Sequence, residues 1–335
     1  MSIGFRANWP TLGLLLVFGC SGESSNDAAP NSGVSVVGAG NEGSGNGGVP
    51  TGTPSQIAGC AMFPAADEWN HDISGEPVDA TWTDNLMTMV GSIKIHPDYG
   101  AGYGIPINVV PKSQAEVPVT FDGYARESDP GPYQLPDPSV ANIEGGTPDA
   151  CDGDCHLLVI ESGSCTLFEG YACSYTSGWR CSNGAKWDLT KISYGQRPKG
   201  WTSADAAGLP IAPGLVRLSE VRAGKVTHAI RFTVKCTSPN FVAPATHEAG
   251  SCDANSPPMG LRVRMKADYD TSALSPSAQV VAEAMKTYGM IIADNGSNFF
   301  FQGEDDPGWT DDDIEPLKTI PASAFEVITP PALEQ

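Results

Sequence analysis

Nine cysteines punctuate this chain, and eight of them could be joined within a folded domain: Cys60, Cys151, Cys155, Cys165, Cys173, Cys181, Cys236 and Cys252. The ninth, Cys20, ends an apolar leader. An even set in an exported chain reads as a disulfide framework, which restricts the fold to one that brings these positions together. Short separations favour Cys173 with Cys181 across a hairpin and Cys236 with Cys252 across a long loop. Cys151 with Cys155 would clip a tight Asp-Gly-Asp turn, leaving Cys60 for Cys165. The spacing does not fix this connectivity. Zinc at Cys151-x3-Cys155-His156 competes with it, and an oxidising compartment argues against zinc.

The leader supplies that compartment. Arg6 is its positive charge and Thr11 to Phe18 its apolar core, too short for a span of about 20 residues but suited to a signal peptide. Val17-Phe18-Gly19-Cys20 resembles the lipobox of bacterial lipoproteins. The resemblance implies cleavage before Cys20, diacylglycerol on its sulfur and acylation of the new amino terminus. Ser21, where the inner-membrane retention signal of such lipoproteins carries Asp, points by the same resemblance to an outer-membrane anchor. The expected organisation is a signal peptide over 1–19, a flexible tether over 20–56, and a single β-rich domain over 57–335. The tether is Gly, Ser, Asn, Ala and Pro, with too little apolar surface to offset its ordering entropy.

A net charge of −20 leaves no basic footprint for nucleic acid. Only 17% of residues are charged, beside 38 glycines and 28 prolines, a balance that suits a loop-rich β protein. His156 to Glu161 and Thr166 to Tyr171 read as a hairpin across Ser-Gly-Ser. Thr227 to Val234 alternates, with His228, Ile230, Phe232 and Val234 on one face. Leu261 to Lys266 alternates too, with its cations outward. Val117 to Phe121, Met290 to Ala293 and Ala324 to Ile328 are further strands. Pro276 to Tyr288 reads as a helix capped by Ser275 and closed by Gly289. A second helix is expected over 84–93, and a single turn over 204–208. The predicted fold is mainly β, a disulfide-stapled two-sheet sandwich or jelly roll with a few peripheral helices. A transmembrane barrel is excluded by short strands and scattered prolines.

Several segments resemble an uncharacterised group of exported bacterial proteins: Trp69-Asn-His-Asp-Ile-Ser74, His96-Pro-Asp-Tyr-Gly100, Tyr103-Gly-Ile-Pro106, Gly200 to Pro210, Pro213 to Arg217 and Ala293 to Asn298. The resemblance covers most of 60–328 and implies a single domain without supplying a mechanism.

No nucleophile elbow, His-Glu-x-x-His or phosphate-binding glycine loop occurs. The candidate chemistry is glycoside hydrolysis, which needs one protonated and one ionised carboxyl. Glu169, on an apolar strand face, and Asp188, after Trp187, are the expected pair, with Glu220 a further carboxylate. Trp187 and Trp201 would be sugar platforms, His228 and Arg231 orienting groups, and His247 a substrate contact. The expected activity is an endo-glycosidase on a β-glucan-like polysaccharide, tethered to the outer membrane by lipid. A non-catalytic glycan binder uses the same aromatics. A polysaccharide lyase uses His and Tyr with arginines around a uronate. His228 and His247, with His96 or His156, could hold a divalent metal or supply a lyase base. No cofactor is required, although Asp294 to Asn298 and the acidic runs Glu304 to Asp306 and Asp311 to Asp313 could ligate calcium.

Overall fold

The computed structural model describes residues 53–335. The signal peptide, Cys20 and nearly all of the tether lie outside the described residues. Among the described residues, nineteen strands against four α-helices make the fold mainly β, as expected from the glycine-rich, turn-rich sequence. Ten strands build the two larger sheets. They are β1 (His96–Asp98), β2 (Ile107–Val110), β3 (Leu157–Glu161), β4 (Thr166–Tyr171), β5 (Asn183–Asp188), β6 (Ile230–Val234), β7 (Arg262–Met265), β8 (Met290–Asn295), β9 (Phe300–Gln302) and β10 (Phe325–Val327). The helices are α1 (Ala80–Val90), α2 (Leu218–Arg222), α3 (Pro276–Thr287) and α4 (Asp311–Ile314).

A six-stranded sheet runs β10-β7-β8-β6-β9-β1, and a four-stranded sheet runs β5-β4-β3-β2. One apolar cluster joins them, including Phe232 and Ile291 from the first and Leu158, Leu167 and Trp187 from the second. The four-stranded sheet is covered on its other face too. Val159 and Phe168 pack there with Tyr133, Leu135 and Trp179 in a separate cluster. Burial on both faces explains why β3 reads as a continuous apolar run and not as an alternation. The predicted hairpin is present, with β3 and β4 antiparallel across Ser162 to Cys165.

The helix α3 follows its signals: Ser275 accepts the amide of Ala278, Pro276 opens the first turn, and Gly289 follows the C-cap. Helix α1 begins before the expected Asp84 because Asp79 accepts the amide of Trp82, and it stops at Gly91. Arg262 departs from the expected alternation. It is buried and donates to the Tyr288 carbonyl at 3.0 and 2.7 Å and to the His71 carbonyl at 2.9 Å. A long side chain can face inward when carbonyls satisfy its charge.

All four disulfides match the favoured pairing: Cys60–Cys165, Cys151–Cys155, Cys173–Cys181 and Cys236–Cys252. Cys60–Cys165 links the start of the described chain to the β3–β4 hairpin, and Cys173–Cys181 sits in the outer cluster. The zinc reading of Cys151 and Cys155 is thereby replaced by a covalent bond. Among the described residues no helix is long and apolar enough to cross a membrane.

Candidate functional site

The expected pair does not come together. Antiparallel pairing sets Thr166 opposite Asp188, Leu167 opposite Trp187 and Glu169 opposite Ala185. Opposed residues share a face and neighbours alternate, so Glu169 and Asp188 point to opposite sides of the sheet. Glu169 is 1% exposed and accepts from the amides of Ile211 (2.9 Å) and Ala212 (2.8 Å) and from the Trp187 indole (3.0 Å). Burial pushes its carboxyl up, against these donors. It ties the 211–212 turn to the sheet. Asp188 accepts from the Thr190 amide and hydroxyl and pairs with Lys191 at 2.8 Å, bonds that pull it down to about 2.

The other expected residues also have partners within the protein. Trp187 is a core residue packed edge-on against Phe63. Trp201 is covered on one side by the Arg197 guanidinium, 5.6 Å from its ring. Glu220 joins a buried cluster with Arg217 (2.9 Å) and His228 (3.1 Å), and although burial opposes it, these partners pull it down to about 2. His228 has no solvent exposure, and its other ring nitrogen meets the Ala229 carbonyl. His247 is held by the Ala206 carbonyl at 2.9 Å.

Arg231 is buried yet central. Asp98 pairs with Gln302 across β1 and β9, and Phe232 pairs with Phe301 across β6 and β9. This register puts Asp98, Gln302 and Arg231 in one row across three strands. Arg231 donates to Gln302 at 3.0 Å and to Asp205 at 2.7 Å. A bulge between Phe232 and Thr233 sets Thr233 opposite Asp294. The shift turns Asp294 onto the same side. Burial pushes the Asp294 carboxyl up, with Arg231 opposing.

The end of this row opens into a cleft of about 850 Å³ whose lining includes Asp98, Tyr103, Glu144, Glu304, Asp305 and Asp306. No lysine or arginine is among its lining residues. Asp98 ends the edge strand β1, and Glu144 belongs to the loop over 142–146. Two glycines shape this wall. At Gly145, with φ +77°, an added Cβ would lie 2.0 Å from the Asp152 carbonyl oxygen. At Gly104, with φ +117°, it would lie 2.9 Å from that of Gly303. Only glycine fits either approach.

The two carboxyls are driven apart. Burial pushes Asp98 up, and the negative charge of Glu144 adds to it against His96 and Arg231. Burial would also raise Glu144, but the hydrogen bond and charge of His156 outweigh it and hold Glu144 below its ordinary range. Tyr103, 47% exposed, offers an aromatic face at the rim. A smaller cleft of about 260 Å³ is lined in part by Tyr124, Asp154, Tyr171, Ala204, His247 and Asp294.

The strand carboxylates Glu169 and Asp188 are held by neighbouring backbone and side-chain groups. Asp98 and Glu144 stand beside turn-forming residues, His96-Pro-Asp98 and Glu144-Gly-Gly, where loops carry function. That placement was the available signal. Among the described residues no three His, Cys, Asp or Glu side chains are grouped to hold a metal ion. The 304–306 run lines the cleft, and Asp313 caps α4 and pairs with Arg222 at 2.6 Å. No protein-family model, curated protein or solved structure matches this chain.

Proposed function

We propose that this protein is an endo-acting glycoside hydrolase, with Asp98 the general acid and Glu144 the ionised nucleophile or base. One observation carries the reading. Two carboxyls line the same open cleft, and their surroundings push one up and the other down. Such a divergence assigns acid and base in carboxyl-pair catalysis. Asp98 would protonate the leaving glycosidic oxygen, while Glu144 attacks the anomeric carbon or activates water. Tyr103 would stack on a sugar ring and the remaining carboxylates accept sugar hydroxyls. A cleft open at the surface suits internal cleavage of a long β-glucan-like chain. The acidic lining opposes a lyase acting on uronates, whose carboxylates need cationic partners. Anchoring through Cys20 and a tether over 20–56 belong to the same proposal and would hold a single domain outside the cell.

The mature protein is tested on a panel of β-glucans and other wall polysaccharides for new reducing ends. Release is expected, and Asp98→Asn and Glu144→Gln should each lower kcat about a hundredfold or more. No release from any polymer, with the polymers still retained, leaves a glycan binder. An active Glu144→Gln protein removes this pair.

A further inference from the structure

His156 joins a residue that lines the larger cleft, Glu144, to one that lines the smaller, Ala204. It is 4% exposed, its ring stands 5.7 Å from that of Tyr171, and each ring nitrogen faces an oxygen. Nδ1 meets the Glu144 carboxylate, and Nε2 meets the Ala204 carbonyl at 3.1 Å. A carbonyl only accepts, and so does an ionised carboxylate. A neutral imidazole has one N–H, so either tautomer would set a lone pair against an oxygen lone pair inside the protein. With Glu144 ionised, as its lowered carboxyl favours, only the doubly protonated ring satisfies both contacts.

We propose that His156 is a constitutively charged positioning residue, whose two N–H groups fix the Glu144 carboxylate in the main cleft and the Ala204 backbone in the smaller one. The positioning role rests on the hydrolase reading above; the charge of the ring does not. The groups facing His156 are Glu144 from the 142–146 loop, Asp154 before β3, Tyr171 at the end of β4, Arg231 on β6 and Asp294 on β8. Burial and Arg231 act against the charge, and Glu144 and Asp154 hold it, with a net upward direction. Glu144 also donates its amide to the His156 carbonyl at 3.1 Å, so the two residues are joined through backbone and side chain. A nucleophile or base held this way keeps its negative charge and its orientation without any cation reaching into the cleft.

The full-length protein, labelled with ¹⁵N-histidine, reports this directly. Both ring nitrogens of His156, assigned by loss of the signal in His156→Gln, should remain protonated from about pH 5 to 8, where an ordinary histidine titrates. In Glu144→Gln the same ring should lose a proton within that window. A neutral ring in the wild-type protein at pH 7 overturns the charge, and an unchanged ring in Glu144→Gln overturns the pairing. For the positioning role, His156→Gln should lower kcat about tenfold, hold KM within about twofold, and move the acid limb of the pH profile up by about one unit. A profile identical to wild type overturns the role while leaving the hydrolase reading intact. If the wild-type protein cleaves no polymer, the hydrolase reading and the positioning role fall together, and the spectra still decide the charge.

Discussion

Asp205 Oδ2 lies 2.7 Å from Arg231 Nη2, with 0% and 3% of the two side chains open to solvent. This pair is the electrostatic centre of the domain. Arg231 acts on Asp98, Glu144, Glu169, Asp205 and Asp294, so one cation moderates five carboxyls. Asp205 also accepts the Ala207 amide at 2.9 Å, which fixes the 203–208 turn against β6. Taking one partner from a buried pair leaves the other uncompensated, at a cost of about 3–5 kcal/mol. Asp205→Asn is expected to lower stability by that amount, read as a lower urea midpoint with an unchanged slope. A loss below about 1 kcal/mol would mean that Gln302 alone suffices for Arg231.

Glu169 and Asp188 should respond to substitution in opposite ways. Glu169→Gln replaces one of the two accepting oxygens with –NH2, which then faces a buried donor that the carboxylate now satisfies, so a loss of about 2–3 kcal/mol is expected. Asp188→Asn alters an exposed cap and surface pair and should cost less than about 1 kcal/mol, leaving any polysaccharide cleavage unchanged. Thermal unfolding with a reducing-end assay on both variants checks this. An inactive but stable Asp188→Asn protein would return Asp188 to the catalytic site.

The contrast also shows what can be read from the sequence. The Ser-Gly-Ser turn, the alternation over 261–266, the Ser275 cap and the short cysteine separations are local signals, and they point to the β3–β4 hairpin, β7, α3 and three of the disulfides, whereas Cys60–Cys165, 105 positions apart, is reached only by elimination. Which face Glu169 shares with which residue of β5 depends on register, and a shift of one residue exchanges the faces. Asp98 ends strand β1 and Glu144 lies 46 positions on, in the loop over 142–146, and the close backbone approaches at Gly104 and Gly145 shape the cleft they line. No periodicity records such a meeting. Buried arginines mislead for a related reason: Arg231 and Arg262 look like surface cations until the carbonyls and carboxylates around them are known.

Acid should weaken the protein through Glu220. Arg217 and His228 hold its carboxyl at about 2 in the folded chain, below the ordinary value of 4.5. The unfolded chain therefore binds more protons between these values, and stability falls as pH drops through them. The group contributes up to about 3 kcal/mol above pH 4.5, lost by about pH 2. Glu220→Gln should be less stable at neutral pH, because the buried Arg217 loses its ion pair and His228 its acceptor, and should show a shallower decline on acidification. Urea unfolding at several pH values from about 2 to 6 separates the two effects. Parallel pH curves for the two proteins would place the acid sensitivity elsewhere.

The disulfides should differ in worth according to the loop each closes. Cys60 and Cys165 are 105 positions apart, and Cys151 and Cys155 are 4 apart. Constraining the unfolded chain scales with the logarithm of loop length, giving about 5 kcal/mol for the long loop and about 2 kcal/mol for the short one. Replacing both cysteines of a pair by alanine avoids a free thiol. The Cys60/Cys165 double variant should lose the larger amount, and it also frees the β3–β4 hairpin from the start of the domain. The Cys151/Cys155 double variant should lose less stability, but that clip lies between Glu144 and His156 and its Cys151 strand pairs with Gly146. Its loss should therefore fall more heavily on polysaccharide cleavage than on the unfolding midpoint. Equal losses of stability in the two double variants would show that native-state strain or residual unfolded structure, not loop entropy, sets the contribution of these bonds.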